Sequence, residues 1–538
     1  MKRLIHRTRP LSLLLALSLA ACAPATTSAP TSSAPEVAQP TRARLIIADM
    51  FVPDILDGQQ SGGGYPLSHE LISQPLLRYD PETTSFVPDL VESFSVSADG
   101  KTMTVRLPAG YTYANGDALD AQALADTINR YVAVSPYSFD YDGLQEVRVV
   151  DATTAEIENA IGFNVMYPDF ITSFGAPWNV AAAAAAGDEA FAANPVASGP
   201  FQIKTPWAPG QDLELSRNDR YSTRMPFVQN KGPVHLEEVL VRFITDGQTR
   251  ANELEAGSVD IAAGLPASAA RAMEGDPRYQ IIKTVLPGMT GIALNTSRAP
   301  FDDLNVRKAI ALAMNREELE VALNGNMTAE YGFVTPDMIA YDPAAQAYAQ
   351  ANYGFDAEAA RALLAEAGWS DTDGDGIVDK DGAPFSVEFL VDSGSIIETD
   401  AAPVVQAQLK AVGIDIRIAQ HDMTYILDTM GAGDFDLGFS GYIWVDPDIL
   451  TYRFTEGASP SQFAPAELAD MLNVAREAAD LSARTAAYLD IQKYLLDQMP
   501  VVPLMSENLY IGARAWVRGL VLTAPGRLVL SDVTIVEP

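Results

Sequence analysis

The chain has 538 residues, more than a single hydrophobic core usually organises, so at least two lobes are expected. Hydrophobic residues make up 48% of it, which excludes a disordered protein. Acidic residues outnumber Lys and Arg by 70 to 36, so nucleic acid is not an expected partner.

The first 43 residues are predicted to serve export and not to belong to the folded part of the protein. Lys2, Arg3 and Arg7 precede an apolar run, Leu11–Ala21, that is too short to cross a bilayer as a helix. Residues 1–22 are therefore predicted to be a signal peptide. Residues 23–43 are rich in Ala, Pro, Ser and Thr and predict an extended tether. The sequence Leu19-Ala20-Ala21-Cys22 resembles a bacterial lipoprotein signal, which implies that Cys22 is lipidated.

Short strands and helices alternate along the first half of the folded chain. A turn at Asp99-Gly100 between alternating segments predicts a hairpin. The predicted elements are a strand from Arg44, a loop at 61–64, a helix His69–Leu77, the hairpin strands Phe94–Val96 and Thr102–Leu107, a helix 121–131, a strand pair at 147–150 and 154–157, and a surface helix at 181–186.

The segment Gly291–Leu323 has the clearest local pattern. An apolar strand, Gly291–Asn295, is followed by a helix. The side chain of Asp302 or Asp303 can accept hydrogen bonds from the free N–H groups at the start of that helix. Asn315 is placed to cap a second helix, with Glu318 reaching back as in a capping box. Asn324-Gly325 then ends that helix.

The C-terminal half repeats this alternation. Its predicted elements are a helix Asp356–Gly368, a strand Phe385–Val391, a helix and strand within Val404–Ile418, a buried strand Phe435–Phe439, helices within Asp470–Gln498, and a final strand region after Pro500.

Several segments in a fixed order resemble one family, the extracellular solute-binding proteins of the dipeptide and oligopeptide type (family 5). They are LLRYDP at 76–81, VPDLVES at 87–93, PVASGPF at 195–201, NDRY at 218–221, the 291–323 segment, and DAEAARALLAEAG at 356–368. Ala197, Ser198 and Phe201 depart from the family pattern, as does Ser222 where Trp is usual.

This resemblance implies an α/β fold of two lobes, the periplasmic-binding-protein or Venus-flytrap fold, with mixed sheets and an extra N-terminal subdomain. It implies that lobe I comprises 44–77, 198–294 and 506–538, that 78–197 form the extra subdomain, and that 295–505 form lobe II. A ligand would bind between the lobes and a hinge would close over it.

Enzyme signatures are missing, so the chain is not expected to be an enzyme. Its four histidines, His6, His69, His235 and His421, are far apart and fit no zinc motif. No G-x-S-x-G nucleophile elbow occurs. No cofactor is expected to be required.

One loop has the spacing of a calcium site. Asp371, Asp373, Asp375 and Asp379 occupy positions 1, 3, 5 and 9, and the Ile377 carbonyl would supply position 7. Position 12 is Gly382 and not the usual glutamate. The loop therefore predicts either a weak structural calcium site or a polar hairpin turn.

The predicted ligand contacts are Trp178, Tyr442, Trp444 and Asp446, because a large pocket needs aromatic walls and polar anchors. The alternative is that the aromatic residues belong to the core. In the family an acid on the loop after the last lobe II strand pairs with the peptide ammonium. Asp446, next to Pro447, matches the second acid of that loop better, so either Asp446 has taken the anchoring role or the ligand lacks an amine there.

The expected function is that of a substrate-binding lipoprotein of an ABC importer, which captures a peptide-like solute and delivers it to permease and ATPase subunits. A nickel chelate, an opine or an oligosaccharide are alternative ligands, and a ligand sensor is an alternative role. A secreted enzyme is the least favoured. The protein is expected to be monomeric, exported and held on the cell membrane by its lipid anchor.

Overall fold

The computed structural model of the chain describes residues 42–62, 66–80, 83, 85–523 and 527–536. The predicted signal peptide with Cys22, most of the tether, and Gly63 and Gly64 lie outside the described residues. None of the helices in the described ranges is long and apolar enough to cross a membrane.

The first part of the chain forms a small antiparallel sheet. Its strand order is Ser93–Val96, Thr102–Arg106, Thr154–Asn159, Leu144–Val149, and the helix Ala121–Val134 packs on the last two of these strands. The predicted hairpin is confirmed, and Gly100 adopts the positive φ (72°) that its turn needs. The elements are β1 (Arg44–Asp49), α1 (Leu67–Ile72), β2 (Leu77–Asp80), β3 (Ser85–Pro88), β4 (Ser93–Val96), β5 (Thr102–Arg106), α2 (Ala121–Val134), β6 (Leu144–Val149) and β7 (Thr154–Asn159).

The helix predicted over His69–Leu77 is wrong in its second half. Helix α1 ends at Ile72, and Leu77 already belongs to strand β2, which pairs with β3. Pro75 explains the break, because it has no N–H to donate and disfavours helical backbone at the residue before it.

The middle of the chain contributes strands to a second, larger sheet. Its elements are α3 (Tyr167–Phe170), α4 (Val180–Ala186), α5 (Asp188–Ala193), β8 (Phe201–Ile203), β9 (Leu213–Arg217), β10 (Glu238–Phe243), α6 (Gly247–Ala256), β11 (Ile261–Ala263), α7 (Ala267–Met273), β12 (Tyr279–Val285) and β13 (Gly288–Leu294).

The C-terminal half supplies the remaining helices and strands. They are α8 (Leu304–Ala313), α9 (Arg316–Ala322), β14 (Met327–Ala329), α10 (Pro343–Tyr353), α11 (Ala357–Glu366), β15 (Asp379–Lys380), β16 (Ala383–Pro384), β17 (Ser386–Asp392), α12 (Ile396–Lys410), β18 (Asp415–His421), α13 (Met423–Gly431), β19 (Leu437–Ile443), α14 (Ile449–Arg453), α15 (Ala466–Arg476), α16 (Leu481–Gln498), β20 (Val501–Arg514), β21 (Val517–Arg518), β22 (Val521–Thr523), β23 (Arg527–Val529) and β24 (Thr534–Ile535).

The predicted cap residues of the 291–323 segment are confirmed, with one correction. Asp303 accepts the N–H of Asn305, and Asn315 accepts the N–H of Glu318. The return half of the capping box is wrong, because the Asn315 N–H donates to the side chain of Gln408, which in turn donates to Glu318. A glutamine of α12 therefore takes the place of the local contact.

Strand β20 belongs to both lobes. Its first residues pair with β13, and residues 508–514 pair with β12 and, in part, with β11. The long sheet path therefore runs β18-β17-β19-β13-β20-β11-β1-β10-β9-β8. The larger hydrophobic core joins residues of the extra subdomain to lobe II, and another core lies under the lobe I sheet.

The strand directions determine where the two sheets meet. In lobe II, β17, β18 and β19 run in the same direction as β20, towards lobe I. In lobe I, β1, β10 and β11 run opposite to β20, towards lobe II. The carboxyl ends of both sets of strands thus face the middle of β20.

Candidate functional site

The middle of β20 is where a ligand site is expected from topology. In open α/β sheets, ligands bind beyond the carboxyl ends of the parallel strands. On the lobe II side the segments that follow β17, β18 and β19 all emerge at this edge. On the lobe I side Phe51 and Val52, both exposed, follow β1.

A cavity of about 320 Å³ lies at this edge. It is built from the start of β13, the end of β19, the first turns of α12 and α13, and the middle of β20. Its lining residues are Leu286, Gly288, Met289, Thr290, Glu398, Met423, Gly441, Tyr442, Ile443 and Glu507. Its volume is that of a small-ligand pocket.

Gly288 allows the two strands to close on this cavity. Its φ is +121°, and a Cβ there would lie 2.0 Å from the carbonyl oxygen of Tyr442. Met289 pairs with Tyr442 and Thr290 with Gly441 across β13 and β19. Only glycine fits this close approach, so the cavity floor depends on it.

Two carboxylates reach the cavity from different elements. Glu398, in the first turn of α12, accepts the N–H of Asp392, and burial raises its pKa to about 7. Glu507, on β20, has its pKa raised by burial alone. Neither residue was predicted from the sequence, although the rule of strand carboxyl ends points to the segment after β17.

Exposed apolar side chains border the same edge. Ile396 is 77% exposed, and Met423, Tyr425 and Ile443 are each nearly half exposed. The ring of Tyr425 stacks on His421, with ring centroids 4.0 Å apart. These residues sit directly after β17, β18 and at the end of β19, so the cleft side of lobe II offers apolar surface to a ligand.

Tyr442 is the predicted ligand residue that lines this cavity. It lies within β19 and not after it, since the strand extends to Ile443. Its hydroxyl donates to the carbonyl of Phe333, and burial raises its pKa. The hydroxyl is thus engaged with the protein.

Trp444 lies where lobe II touches the extra subdomain. It is 9% exposed, and its ring lies 5.6 Å from that of Tyr137 and 6.1 Å from that of Phe139. The nearby Tyr452 hydroxyl donates to the Phe139 carbonyl over 3.0 Å. Trp444 therefore forms part of an aromatic contact between the two parts of the chain.

Trp178 is fully buried, away from the other predicted contacts. Its indole N–H donates to the Ser173 carbonyl over 3.0 Å, and His69 packs on it edge to face at 6.3 Å between centroids. A Cβ on Gly58 would lie 2.5 Å from this ring. In this structure Trp178 is a core residue.

Asp446 is buried in an ion pair. Its two carboxylate oxygens accept hydrogen bonds from the two terminal nitrogens of Arg484, each at 2.6 Å, and both side chains are 1% exposed. Asp448 accepts from Arg476 at 3.2 Å, and Arg476 also donates to Asp142 of the extra subdomain at 2.9 Å. Asp446 thus already has a cationic partner within the protein.

A second buried acidic pair was not predicted. Asp140 and Asp169 hydrogen-bond to each other, and the hydroxyl of Tyr131 lies 3.3 Å from Asp140. The pKa of Asp169 lies well above its usual range, mainly because the group is buried and secondly because of the charge on Asp140. Burial also raises the pKa of Asp140 to about 8. The pair therefore favours the protonated form of its carboxyls more than a solvent-exposed acid does.

The acidic loop gathers the predicted calcium ligands in part. Carboxylate oxygens of Asp371, Asp373 and Asp375 lie within 4.8 Å of one another on the surface. Asp379 instead accepts from the N–H and hydroxyl of Thr372. An antiparallel bridge between Ser370 and Asp379 closes the loop, and the β15–β16 hairpin follows it.

Comparisons with known proteins agree with the fold. The sequence profile described as "Bacterial extracellular solute-binding proteins, family 5 Middle" matches residues 85–461. The oligopeptide-binding protein AppA of Bacillus subtilis is 26% identical over 69% of this chain and 66% of its own length. The di/tripeptide-binding protein 2 of Pseudomonas aeruginosa is 24% identical over 85% of this chain and 88% of its own.

Among solved structures, NikA from Brucella suis in complex with Fe(III)-EDTA superposes with a TM-score of 0.79. It is 22% identical, and the alignment covers 91% of this chain and 99% of NikA. This likeness establishes a shared two-lobe fold.

Proposed function

Because this chain belongs to the bacterial extracellular solute-binding proteins of family 5, we propose that it is the substrate-binding component of an ABC importer for a peptide-like solute. The family consists of binding proteins and not of enzymes. The observation that carries the proposal is the cavity at the middle of β20, where the carboxyl ends of both sheets converge. The solute would bind there, and the lobes would close over it.

Peptides are favoured as ligands by the relatives' names, which include oligopeptide-binding and di/tripeptide-binding proteins. Tyr442 would form a wall of the site. Trp444 would contribute through the contact between lobe II and the extra subdomain, which a ligand can influence when the lobes close. Trp178 would support the fold as a core residue. A metal chelate is the second candidate, favoured by the fold shared with NikA in complex with Fe(III)-EDTA.

Mass spectrometry of the protein purified without denaturation tests this function. We expect a retained solute of peptide mass, released when the protein is unfolded. A pool of di- to pentapeptides should then raise the melting temperature of the stripped protein, since a ligand at about 100 times its dissociation constant stabilises by about 2.7 kcal/mol. A shift with nickel-histidine or oligosaccharides and not with peptides would replace the peptide assignment.

We propose further that the predicted export signals carry the protein to the outer side of a membrane, where lipid on Cys22 would hold it. Two acyl signals are needed for firm anchoring. Wild-type protein should therefore sediment with membranes, and Cys22→Ala should release it or block its processing. Wild-type protein that is wholly soluble with an unmodified N-terminus would contradict the anchor and leave the binding function intact.

A further inference from the structure

The cavity at the middle of β20 is acidic and lacks a basic partner. Its lining residues include Glu398 and Glu507, and none of those that the structure describes is Lys, Arg or His. The Glu507 side chain has no hydrogen bond or ion pair with any described residue. Glu398 accepts a backbone N–H from Asp392, which is itself acidic. Both side chains are half-buried, so a ligand that covers them would leave two desolvated carboxylates, which is costly unless the ligand brings a cation.

Several other buried carboxylates of the described chain are paired with arginine. Asp446 pairs with Arg484 at 2.6 Å, Asp89 with Arg78 at 2.9 Å, and Asp57 with Arg130 at 2.5 Å. Where arginine is absent, a hydrogen bond within the protein takes its place: Asp169 bonds to Asp140, Gln346 donates to Glu330 at 3.1 Å, and the Phe51 N–H donates to Asp49 at 3.2 Å. Neither arrangement exists at Glu507, so its charge has no partner within the described part of the protein.

This partial burial disfavours the charged form of both carboxyl groups. Burial raises the pKa of Glu398 to about 7 and raises the pKa of Glu507 as well. A positive charge brought beside them would favour the ionised form and regain the Coulomb energy that a protein arginine provides at Asp446.

The surface next to the carboxylates is apolar. Met423, Tyr425 and Ile443 are each nearly half exposed, and Met423 and Ile443 line the cavity itself. Exposed apolar residues grouped at a cleft mark a binding surface more often than scattered ones do. Charge and apolar area therefore lie side by side.

Resting on the solute-binding function proposed above, we propose that the solute carries a positively charged group that binds against Glu398 and Glu507, next to an apolar group that covers Met423 and Ile443. For a peptide, the positive group is the terminal ammonium or a basic side chain. Asp446 is then not its partner, because Arg484 holds that carboxylate.

The solute retained through native purification gives the first test. We expect it to carry an amine, a guanidinium or another cationic group next to an apolar group. A retained solute without a positive charge would overturn this inference and leave the solute-binding function standing. If no solute is retained and the peptide pool does not bind, the binding function itself fails, and this inference fails with it.

Calorimetry with two matched probes gives the second test. Leucyl-leucinamide carries one ammonium charge, and N-acetyl-leucyl-leucinamide has the same apolar groups without the charge. We expect the charged probe to bind at least about tenfold more tightly to the wild-type protein, as for other desolvated charge pairs. Equal affinity, or no binding of the charged probe at millimolar concentration, overturns the proposal.

Three variants locate the effect. Glu507→Gln and Glu398→Gln should each weaken the charged probe about tenfold or more and change the acetylated probe less than about twofold. Asp400→Asn is the control, because it removes the same charge from an exposed position of α12 two residues from Glu398. An equal loss in Asp400→Asn would show a long-range charge effect and overturn the site. Melting temperatures of the three variants without probe that equal or exceed the wild-type value show that they fold.

Discussion

At the residue scale, Asp446 fits two roles, an anchor for a ligand and a partner in an ion pair within the protein. The sequence places an acid before Pro447, shortly after strand β19, and the resemblance to the family predicts a ligand-anchoring role for it. In the structure the α16 residue Arg484 reaches across and takes both of its oxygens. Sequence alone could not decide this, because the two residues are 38 positions apart and no local pattern links them.

The Asp446–Arg484 pair predicts a large and specific loss of stability. Asp446→Asn leaves Arg484 buried without its counterion, so we expect about 3–5 kcal/mol of destabilisation in urea unfolding. Adding Arg484→Met should recover part of that loss. Asp276→Asn, which breaks the largely exposed pair with Arg278, should cost no more than about 1 kcal/mol. A stable Asp446→Asn variant that loses peptide binding would instead restore the ammonium-anchor role.

The buried pair Asp140–Asp169 predicts a dependence of stability on pH. The pKa of Asp140 is raised to about 8, so between about pH 4 and pH 8 the folded state holds a proton that the unfolded state has released. This contribution is complete at low pH and is lost as the pH rises towards 8.

Asp140→Asn removes that titration while keeping a similar shape. The variant should therefore gain stability relative to wild type on going from pH 5 to pH 8, by about 1 kcal/mol or more, measured by urea unfolding at both pH values. Asp142→Asn is the control, because its partly exposed carboxylate is hydrogen-bonded to Arg476 and not to a second acid. The same pH-dependent gain in both variants would exclude the pair as the cause.

At the element scale, local chemistry predicted most elements, and the errors have physical causes. Strands and capped helices follow from residues within a few positions, as at Asp303 and Asp356. The helix through Leu77 failed because Pro75 outweighed its apolar pattern. The capping box failed because Gln408, distant in sequence, competes for the same groups.

The acidic loop before β15 is an element whose metal binding stays a prediction. The three carboxylates of Asp371, Asp373 and Asp375 each accept loop N–H groups, so the turn forms without a metal. If calcium binds as well, 1 mM calcium should raise the melting temperature relative to chelator, with a gain of about 1.4 kcal/mol for a dissociation constant near 0.1 mM.

Replacing Asp371, Asp373 and Asp375 together by Asn should abolish this calcium response. Asp381→Asn, which lies beyond the predicted ligand positions, is the matched control and should keep it. A wild-type protein that shows no shift at millimolar calcium has a polar turn and no metal site.

At the scale of the whole molecule, the family and the two-lobe fold could be predicted because many weak segments occur in a fixed order. The cavity could not, because its residues come from five separate parts of the chain, near 288, 398, 423, 442 and 507. Each part is ordinary alone. What brings them together is the direction of the strands on either side of β20, which only the sheet pairing reveals.

That pairing predicts a change of overall size on binding. With both lobes joined through β20 and the β12–β13 connection, a solute in the cleft should draw them together as in other hinged binding proteins. Solution X-ray scattering should show a smaller radius of gyration for protein that retains its native solute than for the same protein stripped by unfolding and refolding. Adding the solute back should restore the smaller value, which excludes damage during refolding as the cause. An identical radius in both states, while calorimetry reports binding, would mean that the lobes are already closed before the solute arrives and that entry depends on a rarer open form.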